Sequence, residues 1–309
     1  MEYHKSVLLS ETINALNINP SGTYVDATFG GGGHSREILA RLTKGSLISM
    51  DQDLAASGNV PENKKFMFIH GNFRFIRNYL RYYGIENVDG ILADLGMSSH
   101  HIDNADRGFS FRYDGNLDMR MNSSSSFTAE NLINEYSLND LLKVFRSYGE
   151  LVNSYKLAKA IVKYRTGCRI TRITQLLDAI SDCVPPKGRN KYLAKVFQSL
   201  RIEVNKEINN LKELLMQSVN VLKPGGRLVI ISYHSIEDRM VKNFIRCGNP
   251  EGKLKKDIYG NYKLIFKGIN KKPIVPSEAE IQMNSRARSA RMRIAEKISN
   301  QNDGRTSKY

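Results

Sequence analysis

The stretch Tyr24-Val25-Asp26-Ala27-Thr28-Phe29-Gly30-Gly31-Gly32-Gly33-His34-Ser35 decides the fold, because it joins a short apolar run to four consecutive glycines. Ordering a glycine costs more backbone entropy than ordering any other residue, so a run of four needs a reason. The apolar run predicts a buried parallel strand. The glycines predict a turn that opens a helix and lets a ligand approach the backbone closely. The alternative is a glycine-rich turn that serves only the geometry of the sheet.

The first hundred residues repeat this pattern of strand and helix. Apolar runs bounded by Gly, Pro, Asp or Asn predict three more strands, at 46–50, 66–69 and 88–93. Apolar residues at helical spacing mark two helix faces, which are Ile38, Leu39 and Leu42, and Phe73, Ile76 and Leu80. Repeated strand–helix units predict an α/β fold with a doubly wound parallel sheet.

A helical segment interrupts this pattern. Residues 128–220 are helical in pattern, with Ser137 and Thr174 as predicted N-caps and Gly149 as a predicted helix end. The strand pattern returns at 227–232, after a turn at 223–226. We therefore predict two domains, which are a discontinuous α/β domain over 1–110 and 205–309 and an inserted all-helical domain over 111–204.

The composition is that of a globular protein. Of the 309 residues, 41% are hydrophobic and 25% are charged, and no apolar run approaches the length of a membrane span. The early apolar residues are too few for a signal peptide, so we expect a cytoplasmic protein without a membrane partner. The three cysteines are widely spaced and outside any Cys/His cluster, so we expect no disulfide framework and no metal site.

The positive charge is unevenly distributed. The formal net charge is +15, and residues 253–298 hold 12 Lys and Arg against 4 Asp and Glu. Tyr259, Tyr262 and Phe266 lie among these cations. Basic residues interleaved with aromatic ones are typical of surfaces that bind nucleic acid, whose bases offer faces for stacking. A solvated basic surface is the alternative.

The residues around the glycines indicate which ligand the turn admits. A dinucleotide motif would need glycine where Ser35 stands, and the nearby carboxylate of Asp26 would repel a pyrophosphate. That carboxylate suits a cationic ligand instead. Asp51 ends the second strand, at the offset where a carboxylate accepts both ribose hydroxyls of an adenosine. Adenine, ribose and a cationic amino-acid end together describe S-adenosylmethionine.

The fourth strand ends at Asp94, at the edge of the sheet where ligands bind in open α/β folds. We expect this carboxylate to face the cofactor from the side where an acceptor substrate arrives. A helix cap is its alternative role.

Eight strings in order carry a family resemblance: VDATFG at 25–30, GGHS at 32–35, DLGMSS at 94–99, DRGFSF at 106–111, LDMRM at 117–121, FQSLRIEVN at 197–205, SYHSIEDR at 232–239 and RARSA at 286–290. With them, the chain resembles the bacterial 16S ribosomal RNA cytosine-N(4)-methyltransferases. The resemblance implies a class I, Rossmann-like methyltransferase domain with an inserted helical domain for RNA recognition. It implies S-adenosylmethionine as cofactor and methylation of the exocyclic amine of a cytidine in the decoding region of the small ribosomal subunit.

The resemblance also implies cofactor contacts at matching positions. These are Gly32, Gly33 and His34 at the methionine end, Asp51 at the ribose, Phe73 beside the adenine, Asp94, and His101, where the family usually carries glutamine. An imidazole ring either donates or accepts through each nitrogen, whereas an amide does both, so His101 departs from the pattern.

The chemistry suggests catalytic candidates. A cytosine amine is a poor nucleophile because its lone pair is conjugated with the ring, and an acceptor for its N–H pushes electron density back. Asp94 is the first candidate, followed by Ser98 and His234, and His234 has an alternative role as a structural histidine at a strand end. We expect base stacking from Phe109 or Tyr233. Expected phosphate contacts are Arg107, Arg120, Arg286, Arg288 and Arg291.

Two other function classes remain open from the sequence. A small-molecule methyltransferase would share the cofactor site but has no need for the basic block or the helical insert. A ribosome assembly factor with vestigial catalysis would keep the charge and lose turnover. The oligomeric state is not determined by the sequence, and a homodimer is one option.

Overall fold

The computed structural model describes residues 6–98, 103–254 and 264–299. The chain forms two compact units, one comprising Met1–Gly96 and Asn209–Tyr309 and the other Met97–Ile208. The first transition therefore falls after residue 96, earlier than the predicted boundary after 110, and the second falls after 208 instead of 204. The reason for the earlier transition is packing, because Phe109 is buried in the core of the second unit and Met97 packs against that core.

The first unit contains a seven-stranded sheet in the order β3-β2-β1-β4-β5-β7-β6. Its strands are β1 (Thr23–Asp26), β2 (Ser46–Asp51), β3 (Phe66–His70), β4 (Val88–Asp94), β5 (Leu222–Ser232), β6 (Phe266–Gly268) and β7 (Arg291–Lys297). Strands β1 to β5 pair in parallel, and β7 is antiparallel to both β5 and β6. The five predicted strands are confirmed. The last two strands were missed by the sequence analysis.

The helices, in chain order, are α1 (Leu9–Leu16), α2 (Gly33–Arg41), α3 (Ile76–Tyr82), α4 (Ala129–Glu135), α5 (Leu138–Gly149), α6 (Ser154–Arg165), α7 (Ile173–Ala179), α8 (Arg189–Asn205), α9 (Glu207–Val221), α10 (Ser235–Cys247) and α11 (Glu278–Met283). Within the described residues, none of them is long and apolar enough to cross a membrane.

Helices cover both faces of the sheet, as a doubly wound fold requires. Neighbouring strand residues point to opposite faces. Thus Leu47 packs in one apolar cluster with residues of α1 and α2, and Ile48 packs in another with residues of α3, α9 and α10. A parallel sheet buried on both faces explains why its strands are continuous apolar runs.

The turn predicted at 223–226 is a bulge inside β5. Leu222 pairs with Val88 and Arg227 pairs with Gly90, so the four residues between them lie opposite the single residue Asp89. Gly225 in this bulge has φ +78°, a conformation that favours glycine.

The second unit is helical and has its own core. The buried side chains at its centre include Leu141, Phe145, Leu157, Leu193 and Leu200. These residues come from α5, α6 and α8, so the apolar faces of three helices meet there.

The predicted ends of these helices are partly confirmed. Ser137 caps α5 by accepting from Asp140 N, and Gly149 is its last residue. Thr174 is not an N-cap, because α7 already begins at Ile173. The Gln175 side chain accepts from the backbone N–H groups of residues 171 and 172, and it therefore caps this helix from within.

Candidate active site at the carboxyl ends of the strands

The carboxyl ends of the central strands place the candidate residues at one edge of the sheet. Asp51 ends β2, Asp26 ends β1, Asp94 ends β4, and Tyr233 follows β5. The order β2-β1-β4-β5 makes these strands neighbours, and all four are parallel. Ligands of open α/β sheets bind at this edge.

The four glycines have two different explanations. Gly32 is the left-handed N-cap of α2, with φ +74°, and a Cβ atom on Gly33 would lie 2.1 Å from Ser6 Oγ. Gly32 is therefore required by its backbone conformation, whereas a side chain at Gly33 would displace the Ser6 hydroxyl. A Cβ atom on Gly30 or Gly31 would meet no heavy atom within 4 Å, although Gly30 also has φ +51°, a conformation that favours glycine. They border open space in which a ligand could approach the backbone.

Asp51 anchors this turn. Its Oδ2 accepts from Gly30 N at 2.8 Å and its Oδ1 accepts from Asp53 N at 2.9 Å. Each carboxylate oxygen can accept a second hydrogen bond. The turn is also held by Asn59, whose Nδ2 donates to Gly30 O at 3.1 Å. No sequence signal pointed to Asn59.

Asp26 lies beneath the turn and is 1% exposed. Its Oδ2 accepts from Ser35 Oγ at 2.7 Å, its Oδ1 accepts from Thr28 N at 3.1 Å, and Ser35 Oγ lies 2.8 Å from Ser49 Oγ. Burial raises the pKa of Asp26 to about 6, and the lowering effects of His34, Ser35 and Thr28 do not offset it. Asp26 thus connects β1 to the first turn of α2.

Asp94 sits at the centre of a small polar cluster. Its backbone N donates to Thr28 Oγ1 at 2.7 Å, and its Oδ2 lies 3.9 Å from His34 Nδ1. The Tyr233 hydroxyl donates to its carboxylate. Burial raises the pKa of Asp94, whereas His34 and the hydrogen bonds from Tyr233 and Gly96 lower it. Thr28 was missed by the sequence analysis, although it lies within the quoted stretch.

The Tyr233 phenol is held beside Asp94 by close packing. A Cβ atom on Gly96 would lie 2.8 Å from the Tyr233 ring, so only glycine leaves room for it. Burial and the neighbouring Asp94 raise the pKa of Tyr233 well above its ordinary value. The phenol therefore stays protonated and can donate.

The His34 side chain is buried between groups of the chain itself. Its Nε2 lies 3.1 Å from Val7 O, and its Nδ1 faces Asp94 at 3.9 Å. Its backbone N–H belongs to the first turn of α2 and makes no hydrogen bond within the described part of the chain. A ligand can therefore reach His34 through the backbone.

His234 caps α10. Its Nδ1 accepts from Glu237 N at 3.4 Å, and its Nε2 lies 3.2 Å from Glu237 Oε1. In return, Glu237 Oε2 accepts from Tyr233 N at 2.9 Å. These contacts are the ones expected of the alternative, structural role of His234.

The remaining predicted residues lie in different places. Phe73 begins the short helical turn Phe73–Phe75 after β3 and packs against the core. Ser98 belongs to the helical unit, and His101 lies outside the described residues. Phe109 is buried in the helical core, so the predicted stacking role for it is wrong.

Two of the predicted phosphate contacts are engaged within the helical unit. Arg120 pairs with Asp118 at 2.6 Å, and Arg107 Nη2 donates to Arg120 O at 2.6 Å. Both side chains brace the loop before α4.

Comparison with known proteins identifies the family of this chain. The profile of the MraW methylase family matches residues 1–298. The chain belongs to the MraW methylase family. The resemblance seen in the motifs is thereby confirmed, and the protein is a methyltransferase with S-adenosylmethionine as its cofactor.

Two relatives illustrate the similarity. Ribosomal RNA small subunit methyltransferase H of Bacteroides fragilis is 55% identical over 296 residues, which cover 96% of this chain and 97% of that protein. The protein of the same name in Flavobacterium johnsoniae is 52% identical over 299 residues, which cover 96% and 99%. A solved structure, the putative methyltransferase SMU.1697c of Streptococcus mutans in complex with SAH, covers 95% of this chain and 99% of that chain. Its identity is 13% and its TM-score 0.42.

The residues at the strand ends fit this cofactor. Open space borders Gly30 and Gly31, the first turn of α2 offers backbone donors for a carboxylate, and Asp51 offers acceptors for ribose hydroxyls. Asp26 and Asp94 supply negative charge for a cationic ligand.

Proposed function

We propose that this enzyme methylates the N(4) amine of cytidine 1402 in 16S rRNA, within the small ribosomal subunit. The observation that carries the proposal is the position of the Asp94 carboxylate. It accepts a hydrogen bond from the Tyr233 hydroxyl and lies at the same sheet edge as the open space beside Gly30 and Gly31. The names of relatives that are 52–55% identical over nearly the whole chain support the choice of RNA. A ribosomal substrate implies a cytoplasmic enzyme, and we assign RNA recognition to the helical unit.

The proposed cofactor contacts follow the geometry of the strand ends. Asp51 accepts from the ribose hydroxyls, and Phe73 lies beside the adenine. The backbone N–H groups of Gly33 and His34 bind the methionine carboxylate, because the N-terminus of a helix favours an anion. Gly32 shapes the turn that aims them. The contact of His101 stays a prediction from the resemblance.

Asp94 is proposed to orient and activate the amine. The bound cofactor supplies an electrophilic methyl group, and its transfer leaves a neutral thioether. Alignment of the amine then contributes most of the catalysis. The Asp94 carboxylate accepts an N–H of the amine, which restores electron density to nitrogen, and it can take up the proton released after transfer. The raised pKa of Asp94 makes it a better acceptor for that proton.

The neighbours of Asp94 position it for this role. The Tyr233 hydroxyl donates to the carboxylate and fixes its orientation, and Gly96 leaves room for the Tyr233 ring. His34 lies close enough to lower the pKa of Asp94 and limit the rise that burial causes. Ser98 and His234 remain second candidates, and the contacts of His234 favour a structural role.

The test measures both the site and the chemistry of methylation. The enzyme is incubated with labelled S-adenosylmethionine and either small ribosomal subunits or naked 16S rRNA, and the modified nucleoside is located by mass spectrometry. We expect N(4)-methylcytidine at the proposed position. A label on another nucleoside would contradict the proposal. A label only on a small molecule would favour the alternative of a small-molecule methyltransferase. The names of the relatives do not favour that alternative.

The role of Asp94 has a matched control in the same strand. Asp94→Asn should lower kcat by about a hundredfold or more, because the neutral amide loses the proton acceptor. Asp89→Asn changes the charge at the opposite end of β4, where Asp89 pairs with Lys223 at 2.8 Å, and should leave kcat unchanged. Equal rates for the two variants would exclude the acceptor role.

A further inference from the structure

A cavity of about 400 Å³ lies beside the end of β5. Tyr233, His234 and Ser235 line one side of it, where β5 joins α10. Arg288 and Arg291 line the other side, where the helical turn Ser285–Ser289 leads into β7. All of these residues belong to the first unit.

We propose that this cavity binds a nucleotide of the RNA substrate next to the methylated cytidine, with its phosphate held by Arg288 and Arg291. The proposal rests on the proposed function, since it takes RNA as the substrate. It adds a phosphate site that is separate from the cofactor-binding turn.

Arg291 faces the cavity with an exposed and incompletely paired guanidinium group. Arg293 already forms a two-point ion pair with Asp238, with Nε–Oδ1 at 2.6 Å and Nη2–Oδ2 at 3.1 Å. Arg291 lies 3.4 Å from the same carboxylate, and its side chain is 51% exposed. One carboxylate therefore faces two guanidinium groups, and Arg291 keeps positive charge available for an anion.

Arg288 adds a second positive charge. It is exposed, and within the described residues it makes no hydrogen bond and no ion pair. Glu280 and Glu237 are the neighbouring acidic groups, and each accepts from a backbone N–H, that of Leu8 at 2.8 Å and that of Tyr233 at 2.9 Å. They offset part of the positive charge, so a phosphate would be held by direct contact with the two guanidinium groups. A planar guanidinium matches a phosphate with two parallel hydrogen bonds.

The cavity is too large for a phosphate alone. Its volume lies within the range of pockets that hold small organic ligands, about 300–1,000 Å³. Val275 and Ile281 give it an apolar wall against which a ribose or a base can pack. A nucleotide combines an anionic end with a flat apolar body and thus suits both sides of the cavity.

The location of the cavity links it to the reaction site. Tyr233 lines the cavity and its hydroxyl donates to Asp94, so a single side chain separates the two. A nucleotide bound here would therefore lie beside the one whose amine meets Asp94. Holding the neighbouring nucleotide would help to align the target amine for transfer.

Binding of a short single-stranded RNA tests the proposal without measuring activity. Arg288→Ala should weaken binding and reduce the slope of log K against log salt by about 0.7, the value for one phosphate contact in single strands. Arg288→Lys keeps the charge and should keep the slope. Arg81→Ala, which removes an exposed arginine of α3, is the matched control and should leave both quantities unchanged.

A second arm identifies the nucleotide. Wild-type protein should bind cytidine monophosphate more tightly than cytidine, and Arg288→Ala should lose this preference. The affinity for S-adenosylmethionine should be the same in all variants, which confirms that they are folded. An unchanged salt slope in Arg288→Ala, an equal loss in Arg81→Ala, or equal competition by inorganic phosphate and cytidine monophosphate would overturn the proposal. Because these readouts are binding constants, they are distinguishable from a failure to form N(4)-methylcytidine.

Discussion

Replacing Asp51 by alanine should weaken the binding of S-adenosylmethionine by at least tenfold. The carboxylate has two roles in the proposed site. It holds the turn through Gly30 N at 2.8 Å and Asp53 N at 2.9 Å, and it accepts from the ribose hydroxyls. The variant removes both, so the size of the effect must be divided between them.

The magnitude follows from the charge on the acceptor. A hydrogen bond to a charged group contributes about 1.5–3 kcal/mol, which corresponds to about a tenfold to a hundredfold change in affinity for each ribose bond. Loosening of the turn alone can be measured separately with Asn59→Ala, which removes the bond from Nδ2 to Gly30 O. That bond is neutral, so its loss should change the affinity by about fivefold or less, or ~1 kcal/mol.

The assay is isothermal titration calorimetry with S-adenosylmethionine on wild type, Asp51→Ala and Asn59→Ala. The melting temperature of each variant is measured in parallel to show that it is folded. A large loss for Asp51→Ala with a small loss for Asn59→Ala would support the ribose contact. Equal losses would refute it, because Asp51 would then act only through the turn. No loss for Asp51→Ala would also refute it, because the carboxylate would then contribute nothing to binding.

Two further predictions concern the residues beneath the turn. Gly33→Ala should destabilise the fold by about 1 kcal/mol or less, because its Cβ would displace only the Ser6 hydroxyl, which can rotate, and adding Ser6→Gly should restore the melting temperature. The pKa of Asp26 is raised from 3.8 to about 6, so the folded state binds its proton more tightly than the unfolded state. As the pH rises from about 4 to about 6, the contribution of this group to the free energy of unfolding should therefore fall by roughly 3 kcal/mol. In urea denaturation across this window, the free energy of unfolding of wild type should fall by this amount relative to that of Asp26→Asn, and parallel curves would contradict the assignment.

Much of the fold and of the candidate site follows from local sequence. Strands β1 to β5 contain apolar runs, because a parallel sheet covered on both faces buries most residues of its central strands. Asp51 and Asp94 could be chosen because each ends such a run. The motifs identified the family, which in turn supplied the cofactor and the class of reaction.

Other features depend on contacts between residues far apart in the chain. Strand β7 was missed because Arg291 and Arg293 interrupt its apolar residues, and its pairing with β5 joins positions about sixty residues apart. Arg293 belongs to the basic block, yet it is buried against Asp238. No local pattern distinguishes a cation that pairs inside the protein from one that faces solvent.

The sequence by itself determined the order of the strands in the chain, the glycine turn and the family. Only the tertiary structure decided which glycines border open space, since the neighbour that fills the space beside Gly33 is Ser6, from before α1. It also decided that Tyr233 donates to Asp94, a contact between residues more than a hundred positions apart. Periodicity and turn chemistry depend on neighbours along the chain, whereas these contacts depend on how strands and helices pack in three dimensions.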